Sequence, residues 1–140
     1  TRLTLDDFTV EQVSDLNHRY GDPLDTREVE QYFKLVAGHP YLVHIGLYKI
    51  ASQQTGLAAI EEQAERDEGA FGDHLRRMWT SLERDSSLCE TVRNVLLGSD
   101  GLSAADFYRL RSAGVLAGGS PQDAKLRCEL YSRYLKKRLL

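Results

Sequence analysis

The stretch Leu35 to Ala51, LVAGHPYLVHIGLYKIA, constrains the fold more than any other part of the chain. Gly38 stands where a helix stops in left-handed geometry. Pro40 suits the first position of the next helix, where its missing N–H is no loss. Only His39 separates them, so two helices must meet at a short, stiff joint. Beyond it lie Tyr41, Leu42, Val43, Ile45, Leu47, Tyr48 and Ile50, the most continuously apolar segment of the sequence. Apolar residues around nearly the whole circumference predict a helix buried on most sides. Gly46 in its middle costs about 1 kcal/mol relative to Ala, which is expected to permit close approach of another backbone.

The preceding residues supply two more helices. Thr9-x-x-Gln12 is a capping box, and Val10, Val13, Leu16 and Tyr20 follow at helical spacing up to a stop at Gly21. After the turn Gly21-Asp22-Pro23, Asp25-x-x-Glu28 caps a helix with Val29, Tyr32, Phe33 and Val36 on one face. Ahead of these, Thr1 to Asp7 alternates Leu3 and Leu5 with polar residues, as the tail of a strand or a linker does. Gly56 restarts a helix through Leu57 and Ile60 that turns acidic at Glu61, Glu62, Glu65, Asp67 and Glu68, read as a solvated face. Gly69 and Gly72 flank a joint. A boundary there divides the chain into a four-helix subdomain, 1–70, and a second subdomain, 71–140.

The second half follows another pattern. Phe71, His74, Leu75, Met78, Trp79 and Leu82 make an amphipathic helix. Ser86 or Ser87 can cap the next, which carries Leu88, Val92, Val95 and Leu96 and stops at Gly98. Ser103-x-x-Asp106 caps a short helix with Phe107 and Leu110, closed by Gly114. Val115-Leu116 and Lys125 to Arg127 flank Gly118-Gly119-Ser120-Pro121 as the arms of a β-hairpin do. A basic helix from about Glu129 ends the chain. Three helices, a two-stranded wing and a closing helix describe a winged helix-turn-helix, so the fold class is mainly α.

Composition narrows the function. At 140 residues the chain can bury a real core, and a net charge of −3 argues against wholesale nucleic-acid binding. Cys89 and Cys128 stand alone without metal-ligand spacing, as buried thiols of a reducing compartment do, so a cytoplasmic location is expected. No apolar run approaches the roughly 20 residues of a membrane span, and no membrane partner is expected. The chain opens at Thr1 without Met and is expected to be a piece of a longer polypeptide.

Motifs for catalysis are missing: no GxxxxGK[ST] phosphate loop, GxGxxG, HExxH or GxSxG occurs. His18, His39, His44 and His74 lack metal-ligand spacing, so neither catalytic nor metal-binding residues are assigned. Two candidate sites remain. At Gly38-His39-Pro40, free N–H groups and the positive end of the helix dipole suit a phosphate or polar ring edge, and the proline ring offers a plate for a base. The plainer reading of the same residues is a tight helix–helix turn with His39 as its cap. The other site is Ser103 to Ala113, in the recognition-helix position of a winged helix. There Asp106, Tyr108, Arg109 and Arg111 are expected to be exposed, and Arg109 and Arg111 would contact DNA. Lys136-Lys137-Arg138 adds positive charge, which the dipole at a helix C-terminus also favours.

Taken together, these residues resemble the C-terminal half of the AAA-like, STAND-type P-loop ATPases of bacteria and archaea. Leu5-Asp6-Asp7-Phe8-Thr9 with Glu11-Gln12-Val13 is similar to the segment that leaves the ATPase sheet for the helical lid. Leu35 to Val43 resembles the lid's GxP helix joint, and Asp73 to Arg77 the opening of the winged helix. Leu110 to Leu116 and Cys128 to Leu135 resemble its last helix, wing and closing helix. The resemblance runs the length of the chain in order. It implies a helical lid followed by a winged helix, with Gly38, His39 and Pro40 against the base of a nucleotide. The phosphate loop and Mg-binding acidic strand would lie upstream, so ATP or ADP with Mg belongs to the parent protein and no cofactor to this portion, which is not catalytic alone. No Met-His-Asp triplet of the plant and animal signalling relatives occurs, so no phosphate-sensing histidine is assigned. Implied partners are the upstream P-loop core and a self-assembly or effector module. A winged-helix DNA-binding transcriptional regulator and a helical protein-interaction module are the alternatives.

Overall fold

The computed structural model describes residues 7–53, 55–64, 66, 69–98 and 102–140. The chain forms two compact units, Thr1–Gly72 and Asp73–Leu140. It is mainly helical, with one two-stranded antiparallel sheet among the described residues. The expected strand tail or linker at Thr1 to Asp7 lies, but for its last residue, outside them.

In the first unit, α1 (Val10–Arg19), α2 (Thr26–Val36), α3 (Pro40–Gln53) and α4 (Leu57–Gln63) pack in sequence order. Both capping boxes form: Thr9 accepts from the amide of Gln12, Asp25 from that of Glu28, and each partner side chain accepts from the cap's own N–H. Asn17 is buried at the turn between α1 and α2. Its amide nitrogen donates to the Leu24 carbonyl at 2.8 Å, and its oxygen accepts from the Leu24 amide at 3.0 Å. One side chain thus satisfies both backbone groups of a buried residue, as a strand partner would.

Two expectations about α3 need correction. It is not buried on most sides: Leu42, Val43, Leu47 and Ile50 face inward, but Tyr41, His44 and Tyr48 form an exposed face. Tyrosine and histidine are amphipathic, so counting them as core overstates the buried arc. Nor does Gly46 admit a neighbouring backbone. It admits the fully buried Tyr32, whose hydroxyl lies where a Gly46 Cβ would need to be. That hydroxyl donates to the Leu42 carbonyl at 2.5 Å, and burial pushes its pKa far above the ordinary tyrosine value. Helix α4 ends at Gln63, and the part of the expected acidic face at Glu65, Asp67 and Glu68 lies outside the described residues.

The second unit opens with α5 (Gly72–Glu83), α6 (Ser86–Leu96) and α7 (Ala104–Ser112). Strands β1 (Leu116–Ala117) and β2 (Lys125–Leu126) pair Leu116 with Leu126 and Ala117 with Lys125, across a loop containing a 3-10 turn at Pro121–Asp123. Helix α8 (Glu129–Leu139) closes the chain. Leu75, Val92, Phe107, Leu110, Leu130 and Leu135 are fully buried. The cap of α6 is Asp85, not Ser86 or Ser87: its carboxylate accepts from the amides of Ser87 and Leu88. A carboxylate there also complements the helix dipole, which a hydroxyl does less well. Cys128 is buried and Cys89 is half-buried, neither is in a disulfide, and burial first, then Asp85 and Glu83, raises the pKa of Cys89. Among the described residues no helix is long and apolar enough to cross a membrane.

His74 ties α5 to α8. Its Nε2 and the Tyr131 hydroxyl share a hydrogen bond of 2.6 Å, and the two rings stack. Burial, then the charges of Arg127 and Arg77, hold its pKa below 6.5. The unfolded chain therefore takes up this proton first. The contribution to stability is complete above about pH 6.5 and is lost as pH falls below that value toward the lower folded pKa. Urea midpoints of the second unit at pH 7.5 and 5.5 should differ more in the native chain than in His74→Gln. Equal differences would refute this role.

Candidate functional site

The joint is built by local rules and then locked by a distant segment. Helix α2 ends in left-handed geometry at Ala37, with φ 51° and ψ 33°, whose amide donates to the Phe33 carbonyl at 2.7 Å. Gly38 follows with φ 73°, so two consecutive residues turn the wrong way for L side chains. The amide of His39 then donates back to the Val36 carbonyl at 3.0 Å, and its own carbonyl accepts from Val43 at 2.8 Å. Pro40 is the first residue of α3, as its chemistry requires.

Phe8 crosses over this joint. Its amide donates to the Gly38 carbonyl at 2.8 Å, and its own carbonyl oxygen occupies the space that a Gly38 Cβ would need. Gly38 is therefore required twice, once by its φ and once by the backbone lying against it. Phe8 also packs edge-on against His44, with ring centroids 6.0 Å apart. Tyr20 meets the other side of His44, edge-on at 6.4 Å and with its hydroxyl 3.3 Å from Nδ1. The segment entering the unit, the end of α1 and the first turns of α3 thus meet around one imidazole.

The joint is only partly open. Gly38 is buried, while His39 and Pro40 are half-buried with His39 Nδ1 turned away from solvent. Tyr41 is 46% exposed and begins the aromatic face continued by His44 and Tyr48. The first turn of α3 itself contains no acidic side chain. Phe8, Tyr20 and His44 are site residues that sequence reasoning misses. The spacing of Pro40, His44 and Tyr48 at four-residue intervals is the available signal, and it is hidden when Tyr41 and Tyr48 are counted as core.

Arg109 and Arg111, the candidate DNA contacts, lie on the outer face of α7. The Arg109 guanidinium is 3.0 Å from Asp85 and 3.9 Å from Asp106. Asp106 is not exposed as expected. One carboxylate oxygen accepts from Ser87 at 2.7 Å and from Thr91 at 3.2 Å, fastening α7 to α6. The carboxylate and its arginine are thus part of the packing between these helices. Among the described residues no group of three or more His, Cys, Asp or Glu is placed to hold a metal ion.

This helical architecture is accompanied by a family assignment. Residues 1–137 match the family described as AAA-like domain, and the chain belongs to it. That makes it an ATPase-related domain. No curated protein and no solved structure matches the chain.

Proposed function

We propose that this chain is the regulatory lid and winged-helix portion of a STAND-type signalling P-loop ATPase of the bacterial and archaeal kind. The observation that carries the reading is the AAA-like match over residues 1–137 together with the Gly38-His39-Pro40 joint, held rigid by Phe8. In this reading the first unit is the lid. The order α5, α6, α7, hairpin, α8 in the second is that of a winged helix.

The residues at the joint fit a nucleotide base. Pro40 offers a half-exposed apolar ring, Tyr41 an exposed aromatic one, and the start of α3 the positive end of a helix dipole. In this reading the phosphates and Mg of ATP or ADP belong to a P-loop core upstream, and this portion alone is not catalytic. The backbone bond between Phe8 and Gly38 links the joint to the segment arriving from that core. Movement of that segment with nucleotide state would reach α3 directly, and only through differential affinity for two states. Self-assembly or effector output would come from other modules. The reading places the protein in the cytoplasm.

In the full-length parent, Pro40→Ala should weaken nucleotide binding about tenfold, equivalent to about 1.4 kcal/mol. The helix should survive, because alanine suits a first helical position. Isothermal titration with ADP measures this, and unchanged affinity would remove the proposed contact. The DNA-regulator alternative loses support at α7, since Arg109 is engaged by Asp85 and Asp106.

A further inference from the structure

The net charge of −3 hides a division between the two units. Residues 1–72 carry six Lys and Arg against thirteen Asp and Glu, a net of −7. Residues 73–140 carry twelve against eight, a net of +4. Exclusion of polyanions on whole-chain charge therefore does not extend to the second unit, whose own field attracts them.

Most of that excess lies on α8, which carries four Lys and Arg against one Glu, and three further arginines line a surface that the site above does not use. A groove of about 620 Å³ runs along α5 and the turn after it, lined by Asp73, Arg76, Arg77, Thr80, Ser81 and Arg84. All six are exposed; the five on α5 stand at positions that helical spacing places on one face, and Arg84 follows in the turn just past its end. Asp73 engages Arg76. Among the described residues neither Arg77 nor Arg84 is in an ion pair. Beyond Asp73, arginines flank the two hydroxyls, with Arg76, Thr80 and Arg84 spaced four residues apart, about 6 Å along a helix axis. Positive charge continues onto α8, where the Arg138 guanidinium lies 5.4 Å from the Trp79 ring and 4.6 Å from the Tyr134 ring.

We propose that the exposed face from Arg76 on α5 to Arg84 in the turn after it binds the sugar–phosphate backbone of nucleic acid, independently of base sequence. Arginine forks match phosphate oxygens two at a time, and serine and threonine hydroxyls are regular phosphate donors. Regularly spaced donors suit a repeating phosphate chain better than the irregular carboxylates of an acidic peptide. This differs from recognition through α7, because it uses a different helix and reads no bases. It is also separate from the nucleotide joint, so either can fail alone.

Fluorescence anisotropy of the full chain with a labelled mixed-sequence 20-mer, single-stranded and duplex, tests it. With about three phosphates neutralised, duplex affinity should fall about 40-fold between 50 and 200 mM salt. Arg77→Gln with Arg84→Gln should leave only about one such contact and a three- to fourfold fall, approximately. Arg111→Gln, on α7, should leave binding unchanged. Circular dichroism should match the native chain for all variants, since these side chains are exposed. The proposal is overturned by absence of binding at 50 mM salt, or by loss with Arg111→Gln but not with the Arg77 and Arg84 pair. Equal affinity for a polyglutamate peptide of matched charge would overturn it in favour of an acidic protein partner.

Discussion

A Gly38→Ala chain is expected to lose about 2–4 kcal/mol of stability in its first unit, the sum of left-handed strain and a broken backbone contact. Two costs act at one atom. With φ at 73°, any side chain is strained at this position whatever the space around it. The added methyl would also overlap the Phe8 carbonyl oxygen, and backbone cannot move aside as a flexible side chain can. Phe8 must lift, and its 2.8 Å bond to the Gly38 carbonyl must lengthen or break. Urea denaturation reports the global loss. Amide exchange at Phe8 reports the local one and should quicken even under native conditions. In the proposed parent, the same variant should uncouple the arriving segment from α3. A stability change below about 1 kcal/mol with Phe8 exchange unaltered would show that the crossing does not constrain the joint.

Gly46→Ala should cost about 2–5 kcal/mol, combining overpacking with a stranded tyrosine hydroxyl. The new Cβ would overlap the Tyr32 oxygen and lie 2.6 Å from the ring carbon bearing it. Tyr32 is fully buried, so its ring cannot swing into solvent. Pushing it away would take the hydroxyl from the Leu42 carbonyl and leave a buried donor unmet. Helix propensity alone favours the alanine by about 1 kcal/mol, so a loss of this size cannot come from α3 itself. The pair can be separated from the background by a double-mutant cycle. Tyr32→Leu removes the ring that the new methyl would strike, so the double variant should be less destabilised than the sum of the two single changes. Strict additivity would show that the contact is not what makes glycine necessary.

These two glycines show how far the sequence can be read. Gly38 beside Pro40 announces a helix stop and start, because left-handed φ and a missing N–H are properties of single residues. Its second constraint comes from Phe8, thirty residues away, and no local pattern carries that. Gly46 is legible as an exception inside a helix. What it makes room for is not, since a backbone and a phenol demand the same absent methyl. The capping boxes at Thr9 and Asp25, the helix starting at Glu129 and the hairpin at Leu116 to Leu126 are all readable, as each depends on neighbours within a few residues.

Charge behaves in the same way. Whole-chain composition argues against polyanions, while division into units leaves the second strongly basic. Arg109 reads as an open cation until packing of α6 against α7 brings Asp85 within 3.0 Å of it. Asp85 is easily passed over as a cap beside two serines, and its carboxylate serves both the α6 amides and that arginine.

For the Gly-His-Pro joint itself, the sequence determined that two helices meet there and that the second begins at Pro40. Backbone torsions are governed by the residue and its nearest neighbours, so they are written locally. The tertiary structure alone decided that Phe8 closes over Gly38, that His44 gathers Phe8 and Tyr20, and that Tyr41 stays open. Those outcomes depend on which distant surfaces are brought within contact range, and that is settled only when the helices pack.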